Sequence, residues 1–228
     1  MKFHRTTLES CQDATGMLIV IDVLRAFSTA AYAFFHGAED IRLVSTVDEA
    51  FMLKKKYPGS LLMGEVDGLP IQGFDFGNSP PQFDELNLSG EHLIQRTTSG
   101  TQGVVRSSKA ENLLAASFCN AKKTSEYIQE SSPSEITFVI TGLRSGGWGD
   151  EDAACADYIE SLIRGDDPDP SAYLTRVEKS LPGQLFQDPN NDDYPLKDLE
   201  YCLEVNRFDF IMPINRVDGD LLMIARDL

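Results

Sequence analysis

The stretch Met17-Leu18-Ile19-Val20-Ile21-Asp22-Val23-Leu24-Arg25 decides the fold. It begins with five consecutive apolar residues, a pattern typical of a central strand that is buried on both faces. Ala, Phe and Tyr then recur at helical spacing over 26–36, and Gly37 provides a stop. A buried strand followed directly by a helix indicates a βαβ unit and therefore a parallel sheet.

The same alternation of strand and helix continues along the chain. Further strands are predicted at 41–44, 61–63, 92–95, 113–116 and 136–140, and further helices at 46–57, 101–109, 120–129 and 150–163. Thr46 and Glu49 have the spacing of a capping box at the start of the second helix. This pattern predicts an α/β protein, a three-layer αβα sandwich with a largely parallel or mixed sheet.

The last quarter of the chain differs from the rest. Residues 165–205 are acidic and contain prolines, and short helices are predicted at 171–181 and 196–203. Residues 208–214 and 221–224 predict either a terminal hairpin or two edge strands. Because no repeat and no long linker is visible, we expect one domain over 1–228, with 165–205 as a helical, acidic elaboration.

Charge is the unusual feature of the composition. Asp and Glu number 36 against 20 Lys and Arg, a formal net charge of -16. A field of that sign repels nucleic acid and anionic membranes, so we expect neither as a partner. No secretion signal is visible, and the longest apolar run is interrupted by Asp22, so we expect a cytoplasmic protein. A homo-oligomer is left open.

The cysteines and histidines argue against a zinc enzyme. The four cysteines form no C-x-x-C pair, and the three histidines are widely scattered. We therefore look for chemistry among oxygen ligands and basic groups. In open α/β sheets that chemistry lies beyond the carboxyl ends of the strands.

Asp22 and Arg25 follow the first buried strand directly. An Asp at this position can bind a metal or attack phosphorus, and an Arg at a helix start can hold phosphate oxygens. Asp22 could equally cap the helix, with Arg25 as its ion-pair partner. Both interpretations stay open from the sequence alone.

Residues 64–81 form a glycine-punctuated loop with three carboxylates, Glu65, Asp67 and Asp75, followed by Asn78 and Ser79. Hard oxygen ligands of this kind suit Mg²⁺, which needs one or two carboxylates together with water and substrate oxygens. The alternative is an ordinary surface loop, because Gly, Asn, Asp and Ser are turn residues as well.

Two further segments lie between a predicted strand and a helix. Arg96-Thr97-Thr98-Ser99-Gly100-Thr101 offers hydroxyl and backbone N–H groups as an anion cradle, or simply a helix cap. Residues 141–152 combine four glycines with Arg144, Glu151 and Asp152. The acids there could serve the site, or they could only complement the positive end of the helix.

These segments carry a family resemblance over roughly residues 18–160. The motifs are Val20-Ile21-Asp22-Val23-Leu24-Arg25-Ala26, Gly64-Glu65, Gly73-Phe74-Asp75-Phe76-Gly77-Asn78-Ser79-Pro80, Thr97-Thr98-Ser99-Gly100-Thr101, Ser117-Phe118-Cys119-Asn120-Ala121, and Glu151-Asp152 with Cys155. Together they resemble the 2-phosphosulfolactate phosphatase family. Two departures from the family pattern are Val66, where members usually have Arg, and the glycine-rich segment around Arg144 and Trp148.

The resemblance implies a Mg²⁺-dependent acid phosphatase with an αβα fold. The named reaction converts 2-phosphosulfolactate to 3-sulfolactate and phosphate in coenzyme M biosynthesis. Relatives also occur where coenzyme M is not made, so the partner is predicted more broadly as a small anionic phosphorylated metabolite. Two alternatives stay open: a phosphatase for another phosphorylated hydroxy acid, and a catalytically weak protein that binds an anionic metabolite.

Residue roles follow from the motifs and the resemblance together. The predicted metal ligands are Asp22, Glu65 and Asp75, and the wider catalytic set adds Arg25, Glu151 and Asp152. The predicted phosphate and substrate contacts are Arg25, Asn78, Ser79, Arg96, Thr97, Thr98, Gly100, Thr101, Asn120 and Arg144. An acid among Glu65, Asp67, Glu151 and Asp152 would transfer the proton. Attack by water and attack through a phospho-aspartate at Asp22 both stay open.

Overall fold

The structure, a computed structural model, describes residues 1–143 and 148–228. Within these ranges eleven strands form one mixed sheet. They are β1 (Lys2–Thr7), β2 (Gly16–Ile21), β3 (Asp40–Val44), β4 (Leu61–Val66), β5 (Leu69–Pro70), β6 (His92–Arg96), β7 (Ala110–Ala116), β8 (Glu135–Ile140), β9 (Phe210–Val217), β10 (Asp220–Met223) and β11 (Arg226–Asp227).

Eight α-helices connect and cover these strands in the described residues. They are α1 (Ala26–Phe35), α2 (Val47–Lys56), α3 (Gly100–Arg106), α4 (Ala121–Ser131), α5 (Asp150–Arg164), α6 (Ser171–Lys179), α7 (Leu181–Phe186) and α8 (Leu196–Cys202). Short 3-10 helices lie at Cys11–Asp13, Pro80–Phe83 and Phe118–Asn120. Every strand and helix predicted between residues 17 and 163 is present, and the α/β sandwich is confirmed.

The sheet contains two parallel sets of strands. One set has the order β1-β8-β2-β7, and the other has the order β3-β6-β4. The hairpin of β9 and β10 joins them, pairing antiparallel with β7 on one side and with β3 on the other. The terminal hairpin is therefore confirmed, but its strands lie in the middle of the sheet and not at an edge.

Strand β2 shows why the centre of the sheet is buried on both faces. Leu18 and Val20 pack into one hydrophobic cluster together with α1. Met17, Ile19 and Ile21 pack into another cluster with α4 and α5. Because successive side chains of a strand point to opposite faces, five apolar residues in a row serve two layers of helices at once.

Helix α1 explains how the two sets of strands come together. Nine of its ten residues are buried, and its apolar cluster includes side chains from both sets. A helix that is apolar on all sides has to be covered on all sides. Both sets therefore pack around α1, and the carboxyl ends of β2, β4, β6 and β8 meet near its N-terminus.

Two details differ from the sequence prediction, and a third agrees with it. Strand β1 was not predicted, because its residues are mostly polar and exposed at the edge of the sheet. The helix expected over 171–181 is two helices, since Ser180 ends α6 and caps α7 by accepting a hydrogen bond from the Gly183 N–H. The capping box of Thr46 and Glu49 is present at the start of α2. None of the described helices is both long and apolar enough to cross a membrane.

Candidate active site

A cavity with a volume of about 190 Å³ lies at the N-terminus of α1. Its polar side is formed where strands end: Asp22 follows β2, Glu65 is the penultimate residue of β4, Thr98 follows β6, and Thr141 follows β8. The cavity therefore lies beyond the carboxyl ends of four strands, where open α/β sheets bind their ligands. The full lining consists of Asp22, Leu24, Arg25, Glu65, Asp67, Gly68, Asn78, Thr98, Ser99, Thr141, Gly142, Trp148, Glu151, Asp152, Pro182, Leu185, Phe186 and Tyr194.

Asp22 is fixed at the floor of the cavity. Its Oδ1 accepts a hydrogen bond from the Ala26 N–H at 2.9 Å, and its Oδ2 accepts one from the Thr141 hydroxyl at 3.3 Å. Gly100 approaches so closely that a Cβ atom there would lie 2.8 Å from Oδ2. Burial, and then the negative charge of Glu65, raise the pKa of Asp22 to about 6.

Asp152 lies beside Asp22 and shares its hydroxyl partner. Thr141 Oγ1 is 3.3 Å from Asp22 Oδ2 and 3.2 Å from Asp152 Oδ2, so the two carboxylates converge on one group. The backbone N–H groups of Val23 and Gly142 also donate to Asp152, each at 2.8 Å. Burial, together with the charges of Glu151 and Asp22, raises the pKa of Asp152 well above its ordinary value.

Glu151 completes the carboxylate cluster, by which we mean Asp22, Glu151 and Asp152. It is 3% exposed, and its Oε2 has no hydrogen-bond partner in the described part of the chain. Burial, followed by the charges of Asp22 and Asp150, raises the pKa of Glu151 to about 7. A buried carboxyl group that keeps its proton near neutral pH is a candidate general acid.

The carboxylate cluster has no cationic partner within residues 1–143 and 148–228, where no Lys, Arg or His forms an ion pair with it. Arg25 lines the same cavity, but its ion pair is with Asp198. Buried carboxylates without a counter-charge are costly, so they either keep protons or attract a cation. The arrangement is therefore suited to a divalent metal ion.

Glu65 lines the cavity, but its oxygens are already well satisfied. Oε1 accepts from the Thr98 N–H, and Oε2 accepts from the Gly68 N–H at 2.6 Å and the Thr98 hydroxyl at 3.0 Å. Arg96 also fixes this end of β4 by donating a hydrogen bond to the Glu65 carbonyl oxygen at 2.7 Å. Glu65 thus organises the loops around the cavity and adds negative charge next to Asp22.

Arg25 is buried and held by several groups. Its Nη1 donates to a carboxylate oxygen of Asp198 and to the Asp193 carbonyl oxygen, and its Nη2 donates to the Gly68 carbonyl oxygen. Its guanidinium carbon lies 5.2 Å from the ring centre of Phe186 and 5.3 Å from that of Tyr194. Arg25 is therefore at the site as predicted, but its ion-pair partner is Asp198 and not Asp22.

The structure brings some of the predicted residues into the cavity and leaves others outside. Those lining it are Asp22, Arg25, Glu65, Asp67, Asn78, Thr98, Glu151 and Asp152. Those not among the lining residues are Asp75, Ser79, Arg96, Thr97, Gly100, Thr101 and Asn120. Gly100 nevertheless touches Asp22, and Ser79 contacts Asp198. Arg144 lies outside the described residues.

The predicted residues outside the cavity have structural partners. Asp75 accepts from Lys54 and from the Leu62 N–H, so it anchors its loop to α2 and β4 and does not join the cluster. Thr97 and Thr101 bond to each other, and Asn120 accepts from the Ser117 N–H. We therefore do not assign Asp75 to the metal site.

Part of the cavity is formed by the acidic segment, residues 165–205, which was not predicted to contribute to the site. Pro182, Leu185, Phe186 and Tyr194 form an apolar wall of the cavity, and Asp198 holds Arg25 from behind it. Phe186 and Tyr194 could have indicated this contact in the sequence, because large aromatic side chains in an otherwise acidic stretch usually pack against another part of the protein.

Comparison with known proteins extends over nearly the whole chain. A family model described as 2-phosphosulpholactate phosphatase matches residues 3–216. The probable 2-phosphosulfolactate phosphatase of Bacillus subtilis is 38% identical, over 91% of this chain and 90% of that protein. The protein of the same name from Carboxydothermus hydrogenoformans is 32% identical over 97% of this chain and 94% of that protein. The matched residues include the cavity and the acidic segment.

Proposed function

This chain belongs to the 2-phosphosulfolactate phosphatase family of phosphoric monoester hydrolases, and we propose that it hydrolyses the phosphate monoester of a small α-hydroxy acid. The names of its relatives favour 2-phosphosulfolactate as the substrate. Water would be added across the P–O bond to give 3-sulfolactate and phosphate.

The observation that carries this proposal is the carboxylate cluster in the cavity at the N-terminus of α1. Asp22, Glu151 and Asp152 are buried together, and the pKa of each is raised. Strongly perturbed carboxyl groups that share a cleft are typical of active sites. Phosphoryl transfer needs a cation next to the transferred group, and this cluster can attract one.

Mg²⁺ fits the cluster as a cofactor held by two carboxylates. We assign Asp22 and Asp152 to it, because their Oδ2 atoms converge on the Thr141 hydroxyl. In the described ranges no three side chains are already arranged as a metal site, but Mg²⁺ usually completes its shell with water and substrate oxygens. When bound, the ion would neutralise the phosphoryl oxygens and the leaving oxygen.

Glu151 is the group that we assign to proton transfer. Its Oε2 is free of hydrogen bonds within the described residues, and its raised pKa of about 7 keeps a proton available near neutral pH. It would give that proton to the hydroxy-acid oxygen as the P–O bond breaks.

A substrate panel tests the proposal. Phosphate release is measured from 2-phosphosulfolactate, phospholactate, phosphoglycolate and p-nitrophenyl phosphate with Mg²⁺ present. We expect turnover of the phosphorylated hydroxy acids, with the highest kcat/KM for one of them. Tight binding of these compounds by folded protein without turnover would instead support a protein that only binds an anionic metabolite.

A further inference from the structure

Asp198 on α8 is fully buried and connects two parts of the cavity. One carboxylate oxygen accepts from Arg25, and the other accepts from the Ser79 hydroxyl at 2.7 Å. We propose that Asp198 is a positioning residue that holds Arg25 in the orientation that binds the substrate, an inference that rests on the proposed function.

The contacts of Arg25 leave part of its guanidinium for a ligand. Three of its N–H groups donate to Asp198, Asp193 and Gly68. The remaining two have no acceptor within residues 1–143 and 148–228. Because an Arg guanidinium is planar and rigid, fixing three donors also fixes the direction of the other two.

The loop that carries Asn78 is fixed beside Arg25. Asn78 is 7% exposed and lines the cavity. The adjacent Ser79 is tied to Asp198, which fixes this segment next to Arg25.

The charges around the cavity give Arg25 a distinct task. Arg25 is the one cationic side chain among the described lining residues, which include five acids: Asp22, Glu65, Asp67, Glu151 and Asp152. The phosphate is assigned to the carboxylate cluster through the cation. Arg25 is therefore left to bind the acid group of the hydroxy acid, whose oxygens accept hydrogen bonds. Contacts to a part of the substrate that does not react change KM more than kcat.

The test compares Ser79→Ala and Asp198→Asn with the control Asp84→Asn. Asp84 also binds α8, through Lys197 and the Tyr201 hydroxyl, but it does so outside the cavity. With the best substrate of the panel, we expect Ser79→Ala to raise KM about three- to tenfold with kcat nearly unchanged, the size of one lost hydrogen bond. Asp198→Asn should raise KM at least about tenfold, and Asp84→Asn should leave KM unchanged.

Equal KM values for Ser79→Ala and wild type would overturn the proposal, as would an equal increase in the Asp84→Asn control. Thermal melts show whether Asp198→Asn folds, and if it does not, Ser79→Ala decides alone. If wild type cleaves no ester of the panel, the proposed function fails on its own. Calorimetric titration with phospholactate then tests the positioning: weaker binding by Ser79→Ala supports it, and equal binding contradicts it.

Discussion

Glu151 is held in the cavity at a cost to stability. Its ordinary pKa of 4.5 is raised to about 7 in the folded protein. The unfolded chain therefore loses this proton first as the pH rises, and the free energy of unfolding falls between about pH 4.5 and pH 7. Sites that serve catalysis often reduce stability in this way.

Replacing Glu151 by Gln removes that cost, and the first prediction follows from it. In the absence of divalent metal, the free energy of unfolding should rise by ~3 kcal/mol at pH 8 and change little at pH 4. Activity should fall at least ~100-fold, as expected for a lost general acid. Urea denaturation at both pH values measures the first effect. The matched control is Glu85→Gln at an exposed position, and a destabilised Glu151→Gln variant at pH 8 would contradict the interpretation.

The pH profile of activity provides the second prediction. Asp22 has to be ionised and Glu151 protonated, and without metal their pKa values are raised to about 6 and about 7. Bound Mg²⁺ favours the ionised form of both groups and so lowers both pKa values. The rate should therefore follow a bell whose limbs belong to the coupled pair and lie below these metal-free values. A kcat/KM that stays constant from pH 5 to pH 9 would exclude these assignments.

The residues of the carboxylate cluster could be predicted from position alone, because Asp22 directly follows a buried strand and Glu151 and Asp152 begin a helix. Asp75 was also predicted to bind the metal, but in the structure its carboxylate accepts a hydrogen bond from Lys54. The sequence does not give the direction in which a loop side chain points. Asp198 could not be predicted, because its partner Arg25 lies on a distant part of the chain and the contact exists only in the folded protein.

At the scale of elements, the start of α3 is pressed against the start of α1. A Cβ atom on Gly100 would lie 2.7 Å from the Cβ of Ala26 and 2.8 Å from Asp22 Oδ2. Glycine fits here because a Cβ atom would overlap the side chains of Ala26 and Asp22, one of which would have to move. The position of Asp22 therefore depends on the contact between these two helices.

The third prediction is that Gly100→Ala lowers kcat at least ~10-fold, since a small displacement of a catalytic group has large effects on rate. Far-ultraviolet circular dichroism should remain close to that of wild type. Gly77→Ala is the control, because a Cβ atom there would meet only the Gln82 side chain at 3.9 Å. Wild-type kinetics in Gly100→Ala would show that Asp22 tolerates the shift.

The elements themselves were predictable where their pattern is local. Strand β2 and helix α1 follow from apolar runs and spacing, and the capping box of α2 follows from two residues. The central place of β9 and β10 was not predictable, since it depends on pairing with β7 and β3, which are far away in sequence. Strand β1 lacked an apolar face to reveal it.

At the scale of the whole molecule, the net charge of -16 opposes the approach of an anionic substrate. The fourth prediction is that kcat/KM for the hydroxy-acid substrate rises with salt, since the screening length falls from ~30 Å at 0.01 M to ~8 Å at 0.15 M. Steady-state kinetics at fixed Mg²⁺ measures this effect, and kcat at saturating substrate should stay constant. A kcat/KM that falls with salt would indicate that local attraction by Arg25 outweighs the field of the molecule.

The identification of the carboxylate cluster as the catalytic centre is tested most directly by phosphate release from 2-phosphosulfolactate. Wild type, Asp22→Asn and Asp75→Asn are compared with Mg²⁺ and with EDTA, where Asp75 serves as the matched acid outside the cavity. We predict that wild type and Asp75→Asn release phosphate only with Mg²⁺, and that Asp22→Asn is at least ~100-fold slower. Release by Asp22→Asn at the wild-type rate, or release unaffected by EDTA, would contradict a metal-dependent reaction at this cluster.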